Sequence, residues 1–215
     1  LMIAGLLHDC GKITTPVHVV DKSTKLQTIY DRIELIDTRF EVLKRDAEIA
    51  ALKEKLSVTQ SGQQKQITFI EQQLALTLKQ YDDDREFLRR CNIAGYSHIG
   101  INGLTARFLS AEEQENLSIR SGTLTKAERS IINQHIVTSI NMLESLPWPA
   151  HLKNVPEYAS GHHERMDGKG YPKGLKREQM SVQARIMGIA DIFEALTAKD
   201  RPYKPGKPLS ESLHI

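Results

Sequence analysis

Six residues carry groups of the kind that hold metal ions: His8, Asp9, His135, His162, His163 and Asp191. His8 and Asp9 are adjacent at the end of the apolar run LMIAGLL, and His162 and His163 head the stretch HHERMDGKGYP. The apolar run predicts the last two turns of a core helix, which would place the Asp9 carboxylate where water is scarce. A buried carboxylate is costly unless it is paired, and coordinating a cation is one of few ways to make it tolerable. Imidazole and carboxylate together suit iron, manganese or nickel better than a thiolate-type zinc site. The chemistry such a set supports is metal-assisted hydrolysis. Each residue also has a plainer reading: His135 as a hydrogen-bonded core histidine, Asp191 as a solvated helix position, the His pair as a chance doublet beside a loop. Asp191 has Met187 and Ala195 one turn to either side, which argues against a solvated stripe. All the plain readings would have to hold at once.

A second layer of residues suits phosphate. Lys12 follows the His-Asp pair, and Arg201 and Lys204 lie in DRPYKPGK just past the segment bearing Asp191. A lysine and an arginine beside a metal cluster can neutralise phosphate oxygens, the arginine as a two-pronged donor. Tyr171, in the Gly- and Pro-rich loop after the His pair, could contact a base or a phosphate. The plain alternatives are solvated charge and an ordinary turn. His18, His98, His151 and His214 have no acidic or His partner nearby in sequence and are expected to be structural or solvent-facing.

The elements that must position these residues read as all-α. Thr125 with Glu128 forms a capping box, and Ile132, Ile136, Ile140 and Leu143 follow at near-helical spacing until Pro147 and Pro149 end the helix. A short helix is expected over 156–165, carrying His162 and His163. Ser181 is expected to cap a long helix through Thr197 that turns Val182, Ile186, Ile189 and Phe193 inward. Between residues 23 and 121 the composition changes. Ile29, Ile33, Ile36, Phe40, Leu43, Ala47 and Ala50 step by fours and threes; Ile67, Ile70, Leu74, Thr77, Tyr81, Asp84 and Leu88 repeat the pattern. That spacing predicts an antiparallel coiled-coil hairpin with arms 28–59 and 63–91, turning at Ser61-Gly62, followed by a connector with short helices to 121. The hairpin is expected either to close on itself or to serve as a homodimer or partner-protein surface.

The totals exclude some classes. Twenty-nine basic against 27 acidic residues leave a net charge of +2, so no bulk field favours DNA or a membrane surface. No apolar run reaches the roughly 18–20 residues of a bilayer span. Cys10 and Cys91 are far apart and form no CxxC pair, which fits packing thiols in a reducing compartment, while the spacing alone leaves a bridge open.

The motifs HDCGK (8–12), GTLTKAE (122–128) with His135, HHERMDGKGYP (162–172) and ADIFEALTAKDRPYK (190–204) together resemble the HD-GYP subfamily of HD-domain phosphohydrolases. The resemblance covers 1–22 and 122–215, as two segments of a catalytic core split by the inserted segment 23–121. It implies an HD-domain helical bundle holding two or three divalent metal ions, iron or manganese first and nickel after them. It also implies hydrolysis of a bacterial cyclic dinucleotide, chiefly cyclic di-GMP, in a cytoplasmic signalling setting. Asp9 matches the bridging carboxylate; His8, His135, His162, His163 and Asp191 match the remaining ligands. Lys12, Arg201 and Lys204 match phosphate contacts, with Lys12 also in the catalytic set, and Tyr171 matches the loop aromatic that shapes the substrate pocket. Family members draw further ligands, a His and in trinuclear members a Glu, from a helix upstream of the pair. The chain is therefore expected to be part of a longer protein, which could be tethered to a membrane through regions outside this chain. Two other expectations stand beside the enzyme: a nucleotide-binding adaptor that uses the hairpin without turnover, and a mononucleotidase, which leaves GYP and RPYK unexplained.

Overall fold

A computed structural model describes residues 1–59, 64–93, 108–198 and 206–214. In chain order the helices are α1 (Met2–Leu7), α2 (Val17–Val20), α3 (Ile33–Thr59), α4 (Gln64–Asn92), α5 (Ala111–Leu117), α6 (Lys126–Glu144), α7 (Val155–Ser160), α8 (Val182–Thr197) and α9 (Leu209–Ser212). Among the described residues there are isolated bridges but no strand, so the fold is all-α. The chain forms two compact units, one of residues 1–22 with 124–215 and one of residues 23–123.

The first unit is assembled around α6. Thr125 caps it as the sequence predicts: its side chain accepts from the Glu128 N–H while the Glu128 carboxylate accepts from the Thr125 N–H. The same carboxylate takes both prongs of Lys22 Nζ, at 2.8 and 2.9 Å, so the buried Lys22 ties the opening segment to the start of α6. Ile136, Ile140 and Leu143 are buried along one face of α6. Ala4, Leu143, Val155, Ala159 and Met187 form the core from four different helices. The opening run is not buried throughout: Ala4 alone is fully covered, while Met2 and Leu6 face solvent, because a single amphipathic turn and a half has only one face against the core. After α1 the chain makes a 3₁₀ turn, Cys10–Thr14, pressed against α6. The Gly11 N–H donates to Ser139 Oγ at 2.8 Å, and a Cβ on Gly11 would lie 2.1 Å from the His135 carbonyl. Only glycine lets the His-Asp segment come that close to α6.

Two expectations for this unit are corrected. The helix expected over 156–165 ends at Ser160, so His162 and His163 sit in the turn after α7 rather than on a helix. Helix α8 starts from the Ser181 cap as expected, but its buried face is Ala184 and Met187. Val182, Ile186 and Ile189 face outward. The side of α8 turned inward carries Ala184 and Met187, with Gly188 close to the His162 carbonyl.

The second unit is the helical hairpin. α3 and α4 pair antiparallel, with Leu26, Ile36, Phe40, Leu88, Cys91, Leu109 and Leu117 as its core. The expected seam residues Ile33, Leu43 and Tyr81 pack against that cluster. Ile29 lies outside the helix and is exposed, and the buried alanine near the tip is Ala51 rather than Ala50. That one-residue drift is what a straight helix of 3.6 residues per turn does to a strict 3.5 pattern. α5 begins with a capping box of its own, Ser110 with Glu113. The turn expected at Ser61-Gly62 lies outside the described residues.

Candidate metal centre

His8 caps the end of α1, Asp9 follows it, His135 sits mid-way along α6, His162 and His163 follow α7, and Asp191 lies on α8. All six ligand candidates converge. They form two overlapping groups, Asp9 with His135, His162 and His163, and His8 with Asp9 and Asp191; within each, the ligand atoms lie within 4.8 Å of one another. Asp9 belongs to both.

Three of the histidines are oriented by the same local device. His8 Nδ1 donates to the Gly5 carbonyl at 2.7 Å, His162 Nδ1 to the Ala159 carbonyl at 2.5 Å, and His135 Nδ1 to the Ile132 carbonyl. Each carbonyl is three residues back in the chain, so a helix end or helix turn fixes the ring. A carbonyl can only accept, so the proton is on Nδ1 and, in the neutral ring, the Nε2 lone pair is left pointing into the cluster.

The His135 and His162 lone pairs meet the Asp9 carboxylate, while His163 Nε2 lies within hydrogen-bond reach of His135 Nε2. Asp9 Oδ1 lies 3.1 Å from His135 Nε2 and 3.8 Å from His162 Nε2, and His135 Nε2 is 3.2 Å from His163 Nε2. Asp9 Oδ1 and His162 Nε2 are both buried and without a hydrogen-bond partner. Buried polar atoms are rarely left this way, and each orphan costs about 1–3 kcal/mol. Electron pairs of nitrogen and oxygen facing one another around a common point fit a divalent cation. The donor set, three imidazoles and two carboxylates with His8 added, fits the same conclusion.

The charges point the same way. Burial holds His162 below the ordinary histidine range, and burial with the neighbouring His162 and His135 brings His163 down to about 4. Both rings are neutral at ordinary pH, as metal-binding imidazoles must be. Burial alone would push Asp9 up, but its charged neighbours His8 and Lys12 oppose it and hold the carboxyl below its usual range. His8 is raised to about 10, first by Asp191 at 3.6 Å and then by Asp9 at 3.3 Å. Asp191 is correspondingly lowered by His8. A proton on His8 thus occupies the space between the two carboxylates that a cation would otherwise neutralise.

Lys12 stands at the rim, its Nζ 2.5 Å from Asp9 Oδ2. Tyr171 stacks on His163, with ring centroids 4.8 Å apart and planes 18° apart, and its N–H donates to the His163 carbonyl at 3.2 Å. Arg201 and Lys204 lie outside the described residues. His18, His151 and His214 are exposed, as expected of histidines without a site.

Sequence reasoning missed Glu164. It is buried, and its two carboxylate oxygens accept from the N–H groups of Lys173 and Leu175 at 2.7 and 2.8 Å. Glu164 therefore staples the loop that carries Tyr171 back against the turn carrying the His pair. Gly170 completes the closure, since a Cβ there would lie 2.2 Å from the Arg165 nitrogen and 2.5 Å from Glu164 Cα. An acid in a Gly-rich, charged stretch looks solvated; its place directly after the His pair was the available signal.

Residues 33–215 match the HD domain family, a span that includes the hairpin and begins after His8 and Asp9. The chain is 38% identical over 98 residues to a cyclic di-GMP phosphodiesterase of Thermotoga maritima, covering 46% of this chain and 26% of that protein. It is 33% identical over 146 residues to a 3'3'-cGAMP-specific phosphodiesterase of Vibrio cholerae, covering 68% of this chain and 28% of that protein. A cyclic di-GMP phosphodiesterase of Pseudomonas aeruginosa is 37% identical over 94 residues, 44% of this chain and 22% of its own length. The chain thus spans about a quarter of the length of these curated relatives. Among the described residues no helix is long and apolar enough to cross a membrane. With the His/Asp cluster and the all-helical fold, these matches establish that the chain belongs to the HD-domain family and is related to its HD-GYP cyclic di-GMP and cGAMP phosphodiesterases.

Proposed function

We propose that the chain is the core of a metal-dependent phosphodiesterase that hydrolyses a bacterial cyclic dinucleotide, cyclic di-GMP first, to the linear dinucleotide or GMP. The observation that carries this reading is the pair of buried, unpartnered atoms, Asp9 Oδ1 and His162 Nε2, at the centre of a six-residue ligand set. The substrate class rests on the relatives' names alone, and two substrates appear among them. In this reading 1–22 and 122–215 form the catalytic core and 23–121 is an insertion. A bacterial cytoplasmic setting goes with that substrate.

His8, Asp9 and Asp191 would hold one divalent ion, and Asp9, His135, His162 and His163 another, with Asp9 shared; iron or manganese suits these donors. Ions bound there would supply Lewis acidity to a phosphoryl oxygen and lower the pKa of the attacking water. The chain's own residues do the rest. Burial keeps His162 and His163 neutral, so their lone pairs stay available. Lys12 holds its ammonium at the rim on Asp9 Oδ2, as a point charge for a non-bridging phosphate oxygen. Tyr171, fixed on His163 by the Glu164 staple, presents an aromatic wall at the mouth of the cluster. Arg201 and Lys204 are assigned to the phosphates in the same reading.

The test is incubation of the iron- or manganese-loaded chain with cyclic di-GMP and, separately, 3'3'-cGAMP, with products separated by chromatography. Linear dinucleotide or mononucleotide from either one supports the reading, and the ratio of rates names the preferred substrate. Tight binding of both with no product overturns it in favour of a nucleotide-binding adaptor.

A further inference from the structure

The inner seam of the hairpin is closed by its own second arm, yet α3 carries another line of apolar residues on its outer face. Leu35, Val42, Ile49 and Leu56 recur at intervals of seven, and all are exposed: Val42 to 54%, Ile49 to 48% and Leu56 to 67%. Leu52, three residues after Ile49, is exposed beside them. The outer face of a solvated helix is ordinarily polar; a strict seven-residue repeat is the pattern of a helix that supercoils with a neighbour.

We propose that this outer face of α3 pairs antiparallel with the same face of a second copy of the chain. The argument for a second copy is the charge pattern. Asp46 and Lys53 flank the apolar line on one side, and among the described residues neither meets an opposite charge in its own chain. A two-fold axis at Ile49 sets Ile49 against its own copy and Val42 against Leu56 of the partner subunit. The same axis brings Asp46 to within one residue's rise of the partner's Lys53 on the same flank, and Lys53 likewise to the partner's Asp46. A parallel pairing is poorer: it sets Glu41 beside the partner's Asp46, a like-charge contact, and its opposite-charge matches, Glu48 with the partner's Lys53 and Glu34 with the partner's Arg39, draw on Glu48 and Arg39, already held within the chain by Arg45 and Glu113. Arg45 lies within the seam, but its guanidinium already reaches Glu48 at 2.6 Å, which leaves its aliphatic stem to cover the apolar line. The 27 residues of α3 span about 40 Å, room for the whole repeat. This pairing is independent of the phosphodiesterase reading, and its test involves no turnover.

The experiment is the solution mass of the 215-residue chain by light scattering over a concentration series, with helix content followed by circular dichroism. The native chain is expected at twice its 24.3 kDa mass. Ile49→Glu is expected at the monomer mass with unchanged helix content, since Ile49 touches no core. Asp46→Lys and Lys53→Asp alone should each shift toward monomer, and their equimolar mixture should regain the dimer, because each variant then meets the opposite charge. A monomeric native chain overturns the proposal. So does a dimer that survives Ile49→Glu, or a mixture no more dimeric than either variant by itself.

Discussion

The hairpin and the metal centre are built from the same kinds of polar residue, and they treat them in opposite ways. Where the two arms of the hairpin face each other, charges on one meet opposites on the other: Arg85 reaches Glu41 at 3.0 Å, Lys55 reaches Glu71 at 2.8 Å, Lys44 pairs with Asp82 and Arg89 with Asp37. These groups are solvated at their margins and satisfied within the chain. In the centre, acceptors face acceptors, two buried atoms have no partner, and a histidine proton fills the gap between carboxylates. Opposed lone pairs of this kind are what a bound cation would neutralise. The first arrangement is architecture, and the second is one that could hold a metal ion.

Substitutions sharpen that contrast. The largest effect is expected from His162→Ala, which removes one of the two orphaned atoms: divalent-metal affinity should fall at least about 100-fold, more than loss of an outer-shell partner costs. Competition against a metal-sensitive dye measures it, and an unchanged affinity breaks the assignment of His162. Phe40→Ala in the hairpin core should cost about 3–5 kcal/mol in urea unfolding and leave metal affinity alone. A parallel loss of metal would erase the distinction between the two regions.

Glu128→Ala comes next, since it uncaps α6 and leaves the buried Lys22 ammonium without that carboxylate. Its expected cost is on the order of 3 kcal/mol in chemical denaturation. Burial pushes Glu128 up, but Lys22 and the Thr125 N–H outweigh it, so its carboxyl titrates below the ordinary glutamate range. A carboxyl lowered on folding contributes stability that is present above its unfolded pKa and lost as pH falls through the folded one. The native chain should therefore lose more stability than the Glu128→Ala variant on the acid side of that range, and parallel pH profiles would contradict the ion pair's role.

Glu164→Gln keeps the shape of the loop staple but replaces one of two accepting oxygens with a donor. About 1–3 kcal/mol should be lost locally, read as faster amide exchange at Lys173 and Leu175 with helix content intact. The smallest effect belongs to Arg89→Ala on the hairpin surface, below about 1 kcal/mol by thermal melting.

What the sequence disclosed differs between the regions for the same physical reason. Histidine and aspartate have few uses in apolar surroundings, so the convergence of His8, Asp9 and Asp191 was legible from type and context. The hairpin was legible because its repeat runs for many turns, although the 3.6-residue period shifted the buried tip residue from Ala50 to Ala51. α8 was misjudged because apolar residues lie on both its faces: Val182, Ile186 and Ile189 read as a stripe, but Ala184 and Met187 face inward. There the backbone of the turn bearing the His pair comes so close that small residues must face it, and periodicity carries no record of that approach. Glu164 was missed for a related reason, since its partners are main-chain N–H groups and leave no side-chain signature.

The most direct test of the central claim is the metal content of the purified chain, stripped with chelator and reloaded with iron(II) or manganese(II), beside an Asp9→Ala variant. The account predicts at least one divalent ion retained per native chain and none by the variant, with both folded by circular dichroism. A folded native chain that retains no metal after reloading would contradict it.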